Sequence, residues 1–182
     1  MRLLRPARRL LVALVAVAAA SAAAAPALAQ WRLFESDYDE EKKPWKEIEA
    51  LLPGAPKQEN LIPFDPGGSA SHRFYIDAPS LSVGEDGVVR YTLVIRTSGG
   101  ATNTTFEGIR CATQEQKVYA VGHQDGAWVR ARDPRWKRIE ARGVNSHHGV
   151  LYLDFMCPER HVRMVTAKQI LASLRKATFG VR

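Results

Sequence analysis

The sequence predicts an α+β domain: an antiparallel meander sheet of about five strands packed with one or two C-terminal helices, preceded by a Pro-rich extended arm. Three observations carry this. Between His72 and Ala131 the apolar residues recur with a period near two, and turn residues interrupt them at roughly 8–12-residue intervals. No strand–helix–strand alternation appears, which excludes a parallel doubly wound sheet. Helical spacing appears only near the C-terminus.

Residues 1–29 stand outside that fold. Arg2, Arg5, Arg8 and Arg9 form a positive start, and Leu10 to Ala25 is an unbroken run of Leu, Val, Ala and one Ser. Pro26 breaks the run, and Ala27-Leu28-Ala29 offers small residues before a cleavage point after Ala29. This reads as a secretory signal peptide, cleaved on export to the periplasm. The run has 16 residues, short of the roughly 20 that span a bilayer. No later segment reaches spanning length, so no transmembrane segment is expected after cleavage.

The arm comes next, residues 30–66. Trp31, Phe34, Tyr38 and Trp45 alternate with acids, and Pro44, Pro53, Pro56, Pro63 and Pro66 follow. Such proline density forbids a long helix. At most Trp45 to Leu52 forms one short element, with Trp45, Ile48 and Leu52 at helical spacing. The aromatics need burial, so the arm is expected to lie along the body, with partner binding as the rival reading.

The body is residues 67–182, a single α+β domain. Phe74, Ile76 and Ala78 alternate with Arg73, Tyr75 and Asp77 in a first strand that Pro79 should end. Gly84 to Gly87 is a turn. Val88 to Arg96 is a strong strand of β-branched and aromatic residues. After Ser98-Gly99-Gly100, Thr104 to Thr113 places Phe106, Gly108 and Arg110 on one face and Thr105, Glu107, Ile109 and Cys111 on the other. Val118 to His123 and Gly126 to Ala131 complete the meander. His147 to Met156 reads as a helix stopping before Pro158, and Thr166 as the N-cap of a helix over Ala167 to Ala177 with Ile170, Leu171 and Leu174 on one face.

Charge is polarised. The 182 residues carry 26 Lys+Arg against 19 Asp+Glu, but four of the arginines belong to the signal. The net charge is −4 over residues 30–65, −1 over 66–126 and +8 over 127–182. The remaining excess is small, and export removes the chain from nucleic acid, so no nucleic-acid partner is expected. Two surfaces are candidates for partner binding: Trp31, Tyr38 and Trp45 of the arm, and Arg130, Arg132, Arg135 and Arg138 of the basic third. The second suits an anionic envelope polymer, the first an envelope protein.

The only two cysteines, Cys111 and Cys157, are expected to form one disulfide in an oxidising compartment. Ser146-His147-His148-Gly149-Val150 superficially resembles the Ser-His-Gly-Cys box of L,D-transpeptidases, but Val150 stands where the nucleophilic Cys belongs. A hydrolase or metal-dependent enzyme using His147, His148 and His161 is the remaining chemical reading, and it predicts a pocket gathering these with His123 or Asp154. Surface or half-buried histidines are the simpler expectation. No phosphate loop, dinucleotide fingerprint or Ca²⁺ loop occurs, and no cofactor is expected.

Several segments resemble one family. Asp37-Tyr38-Asp39-Glu40-Glu41-Lys42-Lys43-Pro44-Trp45-Lys46-Glu47, Glu59-Asn60-Leu61-Ile62-Pro63-Phe64, Phe74-Tyr75-Ile76-Asp77, Val89 to Val94, Phe106 to Cys111 and Cys157-Pro158 are similar to the cryptic neisserial protein family of exported proteobacterial proteins. The likeness spans residues 31–175 and is most specific in the arm. It implies a one-domain Gram-negative envelope protein and carries no catalytic residues with it. The expected function is a non-enzymatic periplasmic binding or assembly factor. The alternatives are an accessory protein on the outer membrane or cell wall, held through the basic third, and the histidine enzyme.

Overall fold

A computed structural model of the protein describes residues 44–67, 71–140, 146–157 and 165–180. The proposed signal, Trp31, Tyr38, Arg142 and His161 lie outside the described residues.

The fold is α+β, as expected, with seven strands rather than five among the described residues: β1 (Leu61–Phe64), β2 (Arg73–Val83), β3 (Val88–Arg96), β4 (Thr102–Arg110), β5 (Glu115–Gly122), β6 (Trp128–Arg130) and β7 (Lys137–Arg138). They form one sheet in the order β1-β2-β3-β4-β5-β6, every neighbour antiparallel, with β7 also pairing β5. Short turns connect β2 to β3, β3 to β4, β4 to β5 and β5 to β6, so the sheet is a meander. Two helical pieces follow: α1 (Ser146–Val150), which runs on as a π-helical turn over Leu151–Met156, and α2 (Ala167–Gly180).

The sequence places β3 correctly and misplaces other bounds. β2 does not stop at Pro79: it continues to Val83, and the register with β3 shifts between Asp77 and Ser82. An irregularity absorbs the proline. β4 begins at Thr102 and ends at Arg110, and β5 begins at Glu115, both a few residues earlier than the alternation suggests. β1 escapes the pattern because it is short and contains Pro63, which an edge strand tolerates. The helix expected from His147 to Met156 widens instead: Cys157 N–H donates to Tyr152 O at 2.8 Å, five residues back. Thr166 does cap α2. Its Oγ1 accepts from Gln169 N–H at 3.3 Å, while Gln169 Oε1 accepts from Thr166 N–H at 2.9 Å, a reciprocal capping box.

The two faces of the sheet are covered by different means. Along β3, Val89, Tyr91 and Leu93 join Ile76, Ile109, Leu151, Met156, Ile170 and Leu174 in the hydrophobic core beneath the helical pieces. Val88, Arg90, Thr92 and Val94 alternate with them, and are buried on the other face. Among the described residues no helix covers that outer face. Arm residues do, together with three aromatic side chains from β5 and the segment after it.

Candidate functional site

The outer face is organised by charged side chains from strands, a turn and the arm. Asp86, in the turn before β3, bonds Arg90 at 2.6 Å, and both side chains are shielded from water. Asp86 Oδ2 accepts from Ile48 N–H at 2.9 Å, its carbonyl accepts from the Trp45 indole at 2.9 Å, and Arg90 donates to Ile48 O at 2.8 Å. Burial pushes the Asp86 carboxyl up, but the bonds from Arg90, Ile48 and Val88 outweigh it and hold the group below the ordinary aspartate value.

These bonds overturn the expected helical element at Trp45 to Leu52. The segment is not helical; Ile48 offers both its N–H and its C=O to the turn before β3 and to Arg90, so neither enters a helical ladder.

Glu47 is the second anchor. Its carboxylate accepts from Lys117 Nζ at 2.8 Å, Tyr119 OH at 2.7 Å and Trp136 Nε1 at 3.3 Å. Burial would raise this acid, yet the three donors keep it below its usual value. Burial and the Glu47 bond push the Tyr119 phenol far up, so it stays protonated and donates. Arg110 lies 3.7 Å above the Trp45 ring, and Trp45 meets Trp136 edge-on at 6.0 Å. Trp45 makes these contacts and remains 38% exposed. Gly108 makes room for Tyr119: a Cβ there would stand 2.8 Å from its hydroxyl.

The basic residues of the other candidate surface follow one another along the β6–β7 edge. Arg130, Arg132, Arg135 and Arg138 are all exposed. Asp133 pairs with Arg135 at 2.6 Å and Lys137 at 3.1 Å, and these two partners depress its carboxyl strongly. Arg130, Arg132 and Arg138 hold no ion pair among the described residues. A groove of about 300 Å³ separates the arm from this edge, with Ile48 and Leu52 on one bank and Arg130 and Pro134 on the other.

The histidines divide. His147 and His148 are neither exposed nor half-buried: each is 6% exposed. The His148 ring meets the Glu107 carboxylate at 2.8 Å, and Tyr91 OH and Thr105 Oγ1 donate to the same carboxylate at 3.0 and 2.6 Å. Burial raises Glu107, and the His148 bond and charge, with Thr105 and His147, more than reverse it. His147 stacks on Phe74 at 5.2 Å, its Nδ1 has no partner, and burial followed by the nearby His148 lowers its pKa to about 4. His123 lies in the β5–β6 turn, lining a cavity on the outer face, and Asp154 lines a groove beside β1 and α2. Thus neither joins His147 and His148. Among the described residues no three His, Cys, Asp or Glu side chains are grouped to hold a metal.

Cys111 and Cys157 are bonded, with their Cα atoms 5.6 Å apart, tying the end of β4 to the end of the π-helical turn. No described helix is long and apolar enough to cross a membrane.

Sequence reasoning missed Glu47, Asp86, Arg90 and Glu107 as organising groups. For Arg90 and Glu107 the available signal was a charge at a strand position whose neighbours two residues away are apolar or β-branched, as for Arg90 between Val88 and Thr92.

No curated protein and no solved structure matches the chain. The family model described as CNP1-like family matches residues 40–175. That span holds most of the arm, the whole sheet and most of α2, and the chain belongs to the CNP1-like family.

Proposed function

We propose that this CNP1-like protein is an exported envelope protein that works by binding rather than by catalysis, and that it holds an anionic envelope partner along its β6–β7 edge. One observation carries the reading. From Trp128 to Arg138 there are five bases and one acid, and Asp133 engages only Arg135 and Lys137 among them. Arg130, Arg132 and Arg138 are left to attract an external anion. The arginine-rich start and small-residue cleavage point of residues 1–29 support export.

The test is co-sedimentation with phosphatidylglycerol vesicles and, separately, with purified cell-wall sacculi, at low and high salt. The triple variant Arg130→Gln, Arg132→Gln, Arg138→Gln should lose most retention on whichever support binds, and added salt should weaken the parent protein likewise. Equal retention by parent and variant overturns the reading. Intact mass of the protein from the periplasmic fraction tests export: the chain should begin at Gln30.

A second binding reading draws on Ile48, Leu51 and Leu52, which are 46%, 80% and 42% exposed on the anchored arm. A row of apolar side chains on a fixed segment suits a protein partner. In-cell crosslinking from Leu51 tests it.

A further inference from the structure

We propose that a second cavity on the outer face, lined by none of the arginines of the basic edge, binds a small sugar that carries a carboxylate. The cavity holds about 410 Å³, within the range of small-ligand sites. Its walls are the β3–β4 turn, the β5–β6 turn and Ala55, Pro56, Gln58 and Leu61, and its floor is the end of the sheet at Val94, Thr104 and Gly122.

Both turns are internally bonded. Thr97 N–H donates to Ala101 O at 2.9 Å, and His123 N–H donates to Ala127 O at 2.8 Å. The Trp128 indole donates to Pro53 O at 2.8 Å, which fixes the ring in the wall and ties the arm to it. The site is therefore formed before any ligand arrives.

The lining sets the chemistry. Thr102, Thr104, Gln58 and Gln124 supply hydroxyl and amide groups that donate and accept, the pattern a polyol needs. Trp128 supplies an aromatic surface for the apolar face of a sugar ring. Among the described residues no acid lines the cavity, and Arg96 does. Its guanidinium bonds the Gln58 side-chain oxygen and lies 5.1 Å from the Tyr75 ring centroid, with no carboxylate partner among the described residues. A half-buried guanidinium with unused donors selects a carboxylate, which it can grip with two parallel bonds. Gly122 keeps the floor open: a Cβ there would come 3.1 Å from Thr104 and 3.3 Å from Trp128.

The experiment is an NMR titration of the purified, isotope-labelled protein with N-acetylmuramic acid. N-acetylglucosamine, the same ring without the carboxylate, and lactate, the carboxylate without the ring, are the comparison probes. N-acetylmuramic acid should shift the amides of Thr102, Thr104, Gly122 and Gln124 and bind about tenfold or more tighter than either fragment. Arg96→Gln should reduce it to the N-acetylglucosamine level, and Thr104→Val should weaken both sugars. Arg138→Gln, at the end of the basic edge remote from Gly122, should change nothing, so this proposal and the envelope-binding reading fail independently. No shifts with millimolar probe, shifts confined to other residues, or full affinity in a folded Arg96→Gln variant would each overturn the proposal; the amide map needs no variant at all.

Discussion

The His148 imidazole Nε2 and the Glu107 carboxylate face each other at 2.8 Å inside the hydrophobic core. With the carboxylate ionised, Nε2 carries the shared proton. Tyr91 and Thr105 complete the set of donors around Glu107, so a charged strand residue is buried without an unmet acceptor. His147 stacks 4.1 Å from the His148 ring and has no partner of its own at Nδ1.

That arrangement predicts a pH-dependent stability. Folding lowers the His147 pKa from 6.5 to about 4. Above pH 6.5 both folded and unfolded chains keep it neutral and its contribution is complete. As pH falls toward 4, the unfolded chain takes up a proton that the folded chain refuses, and stability drops by about 3 kcal/mol. Glu107, held below its ordinary value, adds a further loss at still lower pH. Urea unfolding between pH 4 and pH 7 should show this slope, and His147→Phe, which can keep the stack on Phe74, should flatten it. An unchanged slope in that variant refutes the assignment to His147.

Removing one member of the Asp86–Arg90 pair should be costly. Asp86→Ala leaves Arg90 buried without its carboxylate and frees Ile48 N–H, for a loss of about 3–5 kcal/mol. Limited proteolysis should then cut near Trp45 to Leu52, where the parent resists. A resistant arm in a folded variant would mean that Glu47 and the other arm contacts hold it without Asp86.

Glu47→Gln tests the other anchor. Lys117 loses its counter-charge, while Tyr119 and Trp136 can keep neutral bonds. The expected loss is about 1–2 kcal/mol by chemical denaturation, well below that of Asp86→Ala. A loss equal to or greater than that of Asp86→Ala would reverse the ranking of the two anchors.

Gly108→Ala should destabilise by about 1–3 kcal/mol, because the new methyl would stand 2.8 Å from the Tyr119 hydroxyl and 3.0 Å from Val88. Pairing it with Tyr119→Ala should recover much of the packing strain. Strict additivity of the two changes would place the strain elsewhere.

The disulfide encloses a sequence separation of 46 residues. Chain entropy alone assigns such a cross-link about 4 kcal/mol. Reductant should lower the urea midpoint of the parent accordingly and leave a Cys111→Ala, Cys157→Ala variant unmoved.

Much of this fold could be read from the chain because its signals are local. Val88 to Arg96 alternates cleanly, Thr166 and Gln169 sit three apart, and the turn residues recur at hairpin spacing. The errors arise where a distant group decides. The Trp45 to Leu52 segment has helical spacing, but Asp86 and Arg90 claim its backbone from across the fold. Pro79 looks like a stop, and an irregular pairing with β3 carries the strand past it. Alternation placed Glu107 with Ile109 on one face, yet nothing near it in sequence announces Tyr91 and His148 as its partners. The arginines of the β6–β7 edge were identifiable from charge alone; the Arg96 cavity was not, because it needs two turns and the arm brought together.

The contacts of the arm also bear on kinetics. Hairpin pairings join strands adjacent in sequence, whereas the Glu47 bonds to Tyr119 and Trp136 span 72 and 89 residues. Closing so long a loop costs entropy that is recovered only once the strands are in register. The hairpins should thus assemble first and the arm should lock last. Run backwards, the arm is the part that opens without melting the sheet, so amide hydrogen exchange at Ile48 should outpace that at Thr92, and each opening would unroof the cavity beside Arg96.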